Sequence, residues 1–262
     1  MKNILITGVC GGMGYVAAKS FVEEGFRVFG IDCRTSCELP INYYCVDITD
    51  ALSIGKAYAE ISAETDRLDG IIHFAGIYNL DSLVEISEVE FTRIFDINLF
   101  GVFRVNKAFV PMMGEGGRIV ITSSELAPLD PLPFTGLYAV TKGALEKYAD
   151  SLRMELNLNG ISVSIIRPGA VNTGMLGAST AALDRFCKNT ERYACNAVNF
   201  RRVVDSVETR NVRPEKIAQA AYKAVTAKRP KYVYNVNRNP LLLLLNILPK
   251  PLQVRIIARI LK

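Results

Sequence analysis

Short runs of apolar, often β-branched residues recur along this chain, each separated from the next by a longer stretch with helical spacing. That alternation constrains the fold more than any other feature. The sequence predicts strands over Asn3–Thr7, Arg27–Ile31, Tyr43–Val46, Gly70–Phe74, Arg118–Thr122, Ser162–Arg167 and Tyr232–Val236. It predicts helices over 14–24, 51–65, 88–113, 138–157 and 214–226, the last opening on Pro and Glu, both favourable in a first turn. Near-continuous apolar strands alternating with helices build a mostly parallel sheet covered on both faces. No internal repeat and no low-complexity linker divides the chain. With 262 residues, 50% of them apolar, there is ample material for one α/β core, and global disorder is excluded.

The first strand runs directly into Thr7-Gly8-Val9-Cys10-Gly11-Gly12-Met13-Gly14, and a helix follows. A strand, a glycine loop and a helix suit the binding of a pyrophosphate. The missing Cβ atoms let the backbone approach the phosphates, and the N–H groups of the first helical turn face the anion. Asp32 ends the second strand, 24 residues after Gly8. A carboxylate there can accept hydrogen bonds from both ribose hydroxyls of an adenine dinucleotide and would repel a 2′-phosphate. The expected coenzyme is therefore NAD rather than NADP, a preference that nearby Arg34 softens.

Tyr138 and Lys142 stand at i and i+4 on a helix and so share one face. A phenol, with a pKa of about 10, is a poor base at neutral pH. An ammonium one turn away favours the phenolate. Such a pair can take a proton from an alcohol while hydride leaves its carbon. The fifth strand ends in Ile121-Thr122-Ser123-Ser124, at the carboxyl edge where α/β proteins bind ligands. A Pro-rich loop joins it to Tyr138, so a hydroxyl of Ser124 can hold the substrate oxygen beside the phenol.

These pieces, in this order, resemble the single-domain short-chain dehydrogenase/reductases over essentially the whole chain up to its tail. Thr7-Gly8, Gly12, Met13 and Gly14 look like the family's TGxxxGxG loop, and Asp32 like its NAD-selecting acidic position. Asp47-Ile48 resembles the Asp–hydrophobic pair beside the adenine, and Ala75-Gly76 the end of the NNAG motif. Asn98 matches the catalytic asparagine, and Ser124, Tyr138 and Lys142 complete the tetrad. Pro168-Gly169-Ala170-Val171-Asn172-Thr173 looks like the PGxxxT turn at the nicotinamide end. The resemblance implies a Rossmann-like, doubly wound parallel sheet of about seven strands, with a catalytic domain over 1–238. It implies that Tyr138 is the general acid/base and that Ser124 orients the alcohol or carbonyl oxygen. Lys142 would lower the Tyr138 pKa and bind the nicotinamide ribose, and Asn98 would hold, through its main chain, a water linking Lys142 to solvent. His73-Phe74 stand where the family has Asn-Asn, and His73 is expected to make local hydrogen bonds that serve stability. Ser123 is the rival of Ser124, which matches the second Ser of the family's pair.

In the family, the loop after the serine and the segment after PGxxxT line the substrate pocket. Here they carry Leu126, Leu129, Phe134, Met175 and Leu176, and the substrate loop extends over about 174–212. Residues 206–236 resemble the retinol and hydroxysteroid dehydrogenase branch. The expected substrate is a lipophilic alcohol or ketone such as a hydroxysteroid, bile acid or retinoid. A 3-oxoacyl reductase is the alternative enzyme, disfavoured by Asp32. A non-catalytic NAD-binding, membrane-docked protein is the alternative of another class. The family's dimer and tetramer faces, 88–113 and 138–157, imply a homodimer or homotetramer.

The formal charge of +5 divides unequally: residues 216–262 hold ten basic residues and no acidic one, whereas the first 215 hold 21 basic against 26 acidic. The basic excess thus sits outside the nucleotide-binding body, and no nucleic-acid partner is expected. Residues 239–262 form a tail with five successive leucines from Leu241 to Leu245, far short of the about 20 apolar residues that span a bilayer. Arg255, Arg259 and Lys262 fall on one helical face, with Ile256, Ile257, Ile260 and Leu261 opposite. Such a tail suits a peripheral membrane contact, a partner subunit, or a cover over the substrate pocket. The six cysteines lack C-x-x-C spacing and His73 is the lone histidine, so free thiols in a reducing cytoplasm and no metal site are expected.

Overall fold

The computed structural model describes residues 1–208 and 210–262, apart from the side chains of 175–178 and 207–208. Strands β1 (Asn3–Thr7), β2 (Arg27–Asp32), β3 (Asn42–Cys45), β4 (Leu68–His73), β5 (Met113–Thr122), β6 (Ser162–Pro168) and β7 (Val233–Val236) form one sheet in the order β3-β2-β1-β4-β5-β6-β7. Every pairing is parallel. The chain direction of the winding reverses between β1 and β4, which opens a crevice at their carboxyl ends. This is the Rossmann-like doubly wound arrangement expected.

Alternate strand residues serve opposite faces. Leu5, Ile71, Ile119, Ile121, Val163 and Ile165 pack with α2 (Ala51–Glu64), α4 (Gly101–Phe109) and α5 (Gly136–Asn157). Ile4, Ile6, Ile72, Val120 and Ile166 pack with α1 (Gly12–Glu23) and α8 (Glu215–Thr226). The period of two in each strand thus builds two cores from one sheet.

Three local features depart from expectation. The predicted helix 88–113 is α3 (Glu88–Phe95), a π-helical turn at Asp96–Phe100 and then α4, and the helical path ends at Met112. Its i+5 hydrogen bond runs from Gly101 N–H to the Asp96 carbonyl. Strand β5 begins at Met113 rather than Arg118, because Met113 pairs with Leu68 across a register irregularity. Gly116 turns through φ +84° within that glycine-rich stretch. Finally, the substrate-loop region carries α6 (Gly174–Asn189) and α7 (Ala194–Glu208). The tail forms α9 (Pro240–Ile247) and α10 (Lys250–Leu261). Leu261 of α10 is buried in a third core with Leu183, Phe186, Ala197 and Phe200.

Close packing at the start of α1 gives a stability test. A Cβ on Gly14 would lie 2.1 Å from the Gly8 carbonyl oxygen, whereas one on Gly55 of α2 would meet nothing within 4 Å. Gly14→Ala should lower the unfolding free energy by at least about 2 kcal/mol. Gly55→Ala should raise it by about 0.5–1 kcal/mol, because alanine restricts the unfolded chain and suits an exposed helix. Urea titration of the two variants checks both signs.

Candidate active site

The glycine loop forms a cradle where three segments meet. Gly8 has φ +73°, and a Cβ there would lie 2.7 Å from Ala75 N. A Cβ on Gly12 would lie 2.6 Å from Thr173 Cβ. The Ala75 N–H donates to Thr7 Oγ1 at 3.1 Å. The first turn of α1 therefore packs directly against the ends of β1 and β4 and against the turn after β6, where the Thr173 side chain rests on Gly12. Its N–H groups lack intrahelical acceptors and carry the positive end of the helix dipole. This cradle fits a dinucleotide pyrophosphate.

Asp32, at the end of β2, accepts the Cys10 N–H at 3.0 Å and the Arg34 N–H at 3.2 Å. Its carboxylate is thereby fixed beside the cradle. Arg34 donates to the Cys10 carbonyl at 2.8 Å, which engages its guanidinium with the loop. Asp47 accepts from both the Thr49 N–H and hydroxyl in its own turn. Ile48 is buried against Gly101, where a Cβ would approach its Cδ1 to 2.6 Å. Ile48 thus packs under Gly101 at the start of α4, while Asp47 stays exposed in its own turn.

Strand β5 delivers Ser124, and α5 delivers Tyr138 and Lys142, to the wall of a cavity of about 180 Å³. Ser124 and Tyr138 share this wall, and the Ser124 hydroxyl accepts the Leu126 N–H at 3.2 Å. Burial pushes the Tyr138 phenol up to about 12, and Ser124 acts in the opposite sense. Lys142 Nζ donates to the Thr122 carbonyl at 3.0 Å and lies 5.8 Å from the centre of the Tyr138 ring. Burial pushes this amine down to about 8, countered by the Glu146 carboxylate one turn on. The resemblance implies a Tyr138 pKa lowered by Lys142; here burial is the larger cause and raises it. Ser123 is also in the cavity wall, but its buried hydroxyl has no hydrogen-bond partner among the described residues. Only Ser124 of the two meets the phenol in this geometry.

Asn98 is fully buried in the π-helical turn. Its side-chain amide closes on Ile77, accepting that residue's N–H at 2.8 Å and donating to its carbonyl at 2.9 Å. It also donates to Thr141 Oγ1 at 3.3 Å, so Asn98 links α5 to the segment after β4. A Cβ on Gly76 would come within 3.1 Å of the Asn98 amide oxygen and 3.7 Å of Lys142 Nζ. Met13, Gly76, Pro168, Gly169, Val171 and Thr173 all border the same cavity.

Of the expected substrate residues, Leu126 lines the cavity, and Leu129 and Phe134 do not. Leu132 lines the cavity instead, while Phe134, at φ +66°, packs its ring into the third core against Phe186, at 4.4 Å between centroids. The side chains of Met175 and Leu176 lie outside the described residues. Residues that the sequence did not single out complete the wall: Tyr78, whose ring meets Tyr138 edge-on at 4.7 Å, Phe200 and Val203 of α7, Leu242 of α9, and Glu125. Glu125 is buried, and its Oε2 accepts the Asn239 N–H at 2.6 Å. Burial pushes its carboxyl up, opposed by that hydrogen bond and by the charge of Arg238. Only its position directly after Ser124 could have drawn attention to it.

The family model described as short chain dehydrogenase matches residues 2–184. The chain is 29% identical over 231 residues to 3-ketodihydrosphingosine reductase of Bacteroides thetaiotaomicron, covering 87% of this chain and 85% of that protein. It is 25% identical over 260 residues to estradiol 17-beta-dehydrogenase 2 of Mus musculus, covering 90% of this chain and 68% of that one. A solved short-chain dehydrogenase from Streptomyces avermitilis superposes with a TM-score of 0.77 at 25% identity, covering 92% of this chain and 89% of that one.

His73 is buried and bonded outside the cavity wall. Its Nε2 hydrogen-bonds Asn106 Oδ1 at 2.9 Å, and Asn106 in turn donates to Tyr148 Oη at 3.1 Å. Burial pushes the imidazole down to about 4, so it is neutral at pH 7 and donates through Nε2. Between pH 6.5 and 4 the unfolded chain binds a proton at His73 that the folded chain refuses. Stability is therefore complete above about 6.5 and falls with decreasing pH, by about 3 kcal/mol at the lower end. His73→Gln keeps a donor for Asn106 and should remove that component of the slope. Urea unfolding of both proteins at pH 5 and 7.5 measures it; equal pH dependence would contradict the assignment.

Proposed function

The chain belongs to the short-chain dehydrogenase family, and from that premise we propose that it is an NAD-dependent oxidoreductase interconverting a hydroxyl and a carbonyl on a lipophilic substrate. The observation that carries this is the meeting of Ser124, Tyr138 and Lys142 in the wall of a largely apolar cavity beside the glycine cradle. Thr7–Gly14, Asp32, Gly76 and the Pro168–Thr173 turn would hold the dinucleotide. When bound, its nicotinamide supplies or accepts the hydride. Asp32 favours NAD, since its fixed carboxylate would meet a 2′-phosphate as a like charge.

Tyr138 Oη is the proton donor or acceptor in this proposal. With its phenol held up to about 12, Tyr138 is protonated at neutral pH, which fits transfer of its proton to a carbonyl oxygen. Ser124, in the same cavity wall, would hold that oxygen in line. Lys142 would bind the nicotinamide ribose and add positive charge near Tyr138 as the phenolate forms. Asn98 acts as a positioning residue: by clamping Ile77 and Thr141 it holds the π-helical turn against α5. The main chain of that turn would carry the water linking Lys142 to solvent.

Leu126, Leu132, Tyr78, Phe200, Val203 and Leu242 give the cavity its apolar character, which supports a bulky lipophilic substrate of hydroxysteroid, bile-acid or retinoid type. The mouse relative's name is consistent with that class. A second reading, a long-chain amino ketone, is favoured by the Bacteroides relative and by Glu125, a carboxylate able to meet an ammonium group at the cavity wall. Exposed Phe100, Phe103, Val140 and Met154 on α4, α5 and the turn before α4 support a homodimer or homotetramer through those helices.

Two substitutions test the assignment. Tyr138→Phe should lower kcat at least about 100-fold while the coenzyme dissociation constant stays within about threefold. More than a tenth of the wild-type rate in that variant would remove Tyr138 from the chemistry. Asp32→Ser should raise KM for NAD about tenfold or more and leave KM for NADP unchanged or lower. The absorbance of the reduced coenzyme follows both, with a panel of hydroxysteroids and long-chain amino ketones to discriminate the substrate classes.

A further inference from the structure

The C-terminal helices are built into the wall of the cavity, yet they turn an apolar and basic face outward. Three polar clamps hold them inward. Glu125 receives the Asn239 N–H at the start of α9. The Asn246 amide oxygen receives the Asp130 N–H at 2.6 Å, and Lys250 pairs with the Asp130 carboxylate. At the far end Asn196 donates to the Leu261 carbonyl at 2.8 Å. Leu242 thereby lines the cavity, while Gln253 and Leu261 are buried.

The opposite face is uncovered. Leu241, Leu244 and Ile247 are 63%, 61% and 78% exposed, and their i, i+3, i+6 spacing makes one ridge along α9. Leu252, Val254 and Ile260 extend exposed apolar surface along α10. Arg255, Arg259 and Lys262 lie among them, also exposed. Among the described residues none of these three cations has an acidic partner in an ion pair. No acidic residue at all follows Glu215, so nothing in this part of the sequence offsets their charge. Apolar side chains interleaved with unpaired cations complement an anionic lipid surface, not water and not a second copy of the same basic helices.

We propose that α9 and α10 form a docking surface for anionic phospholipid membranes, seating the cavity wall at Leu242 against the bilayer. No helix among the described residues is long and apolar enough to cross a membrane, so the contact is interfacial. The position of Leu242 then gives a lipophilic substrate a short path from the acyl region past α9 into the cavity. That path rests on the lipophilic-substrate reading above, whereas the docking itself does not.

The test uses the full chain and vesicles of phosphatidylcholine with or without phosphatidylglycerol. Co-sedimentation should be strong with phosphatidylglycerol, weak without it, and reduced at high salt. Leu241→Ser/Leu244→Ser/Ile247→Ser should weaken binding at least about tenfold, and Arg255→Gln/Arg259→Gln/Lys262→Gln by a similar factor. All six sites are exposed, and an unchanged melting temperature and coenzyme affinity verify that the fold is intact. The chain contains no tryptophan, so Ile247→Trp is a clean reporter. Its emission should shift to the blue on anionic vesicles and be quenched by brominated acyl chains. A chain that stays in the supernatant, an Ile247→Trp reporter that is not quenched, or a triple variant that only dissociates an oligomer in light scattering would overturn the proposal. None of these readouts involves turnover, so failure of docking and failure of the substrate reading are seen separately.

Discussion

Backbone meets backbone at the carboxyl end of β1, and the remainder of the site depends on that approach. Gly8, Gly12 and Gly14 stand so close to Ala75, Thr173 and one another that a Cβ on any of them would overlap a neighbour. The absence of side chains lets the first turn of α1 sit directly over the crevice at the sheet's switch point. Because every strand is parallel, the ends of β4, β5 and β6 open onto the same edge. Gly76, Ser124 and the Pro168–Thr173 turn then follow without further arrangement. Ser124, Tyr138 and Lys142 need no special loop to reach one cavity wall; they inherit their neighbourhood from the order of the elements.

Ser124, Tyr138 and Lys142 are buried, and the electrostatics of the site follow from how each buried polar group is answered. Lys142 has a carbonyl partner in Thr122 and a carboxylate one turn away in Glu146. Glu146 is itself held by Arg167 through two hydrogen bonds of 2.8 and 2.6 Å. That bidentate pair ties α5 to the strand that leads into Pro168, so the same contact steadies Lys142 and the turn opposite it. His73 takes the other solution: it gives up its charge and joins Asn106 and Tyr148 in a neutral network. Groups that stay charged are those with a partner of opposite sign within the site, as the cost of burying an uncompensated ion requires.

The features legible in the sequence are those whose signal is local. Strands buried on both faces show as apolar runs, a loop that must approach a ligand shows as glycines, and two residues on one helical face show as i, i+4 spacing. What escaped depends on distant partners. The π-helical turn at Asp96–Phe100 arises from one backbone hydrogen bond and from Asn98 reaching Ile77 and Thr141, and no residue type announces it. The start of β5 was hidden because glycines with poor strand propensity occupy it, and pairing of Met113 with Leu68 extends the strand regardless. Leu132 rather than Leu129 or Phe134 faces the cavity, and Phe134, at positive φ, puts its ring into the third core through partners distant in sequence. The helices α6 and α7 carry Leu183, Phe186 and Phe200 at core positions, but the basic residues between them gave the segment the look of a surface loop.

The C-terminal segment shows why burial alone does not explain a sequence. Its inward contacts are few and specific: Leu242 at the cavity, Gln253, Leu261, and the polar clamps to Glu125, Asp130 and Asn196. These are enough to dock α9 and α10, and they leave Leu241, Leu244 and Ile247 without any role in the fold. Scattered exposed leucines are ordinary on protein surfaces, but a continuous apolar ridge is not. Its cost in solubility is sustained on the one element that also walls the cavity and is rooted, through Glu125, next to Ser124. The lipid docking proposed for α9 and α10 would account for that coincidence, and the unpaired cations of the same segment would restrict its chemistry to something anionic as well as apolar.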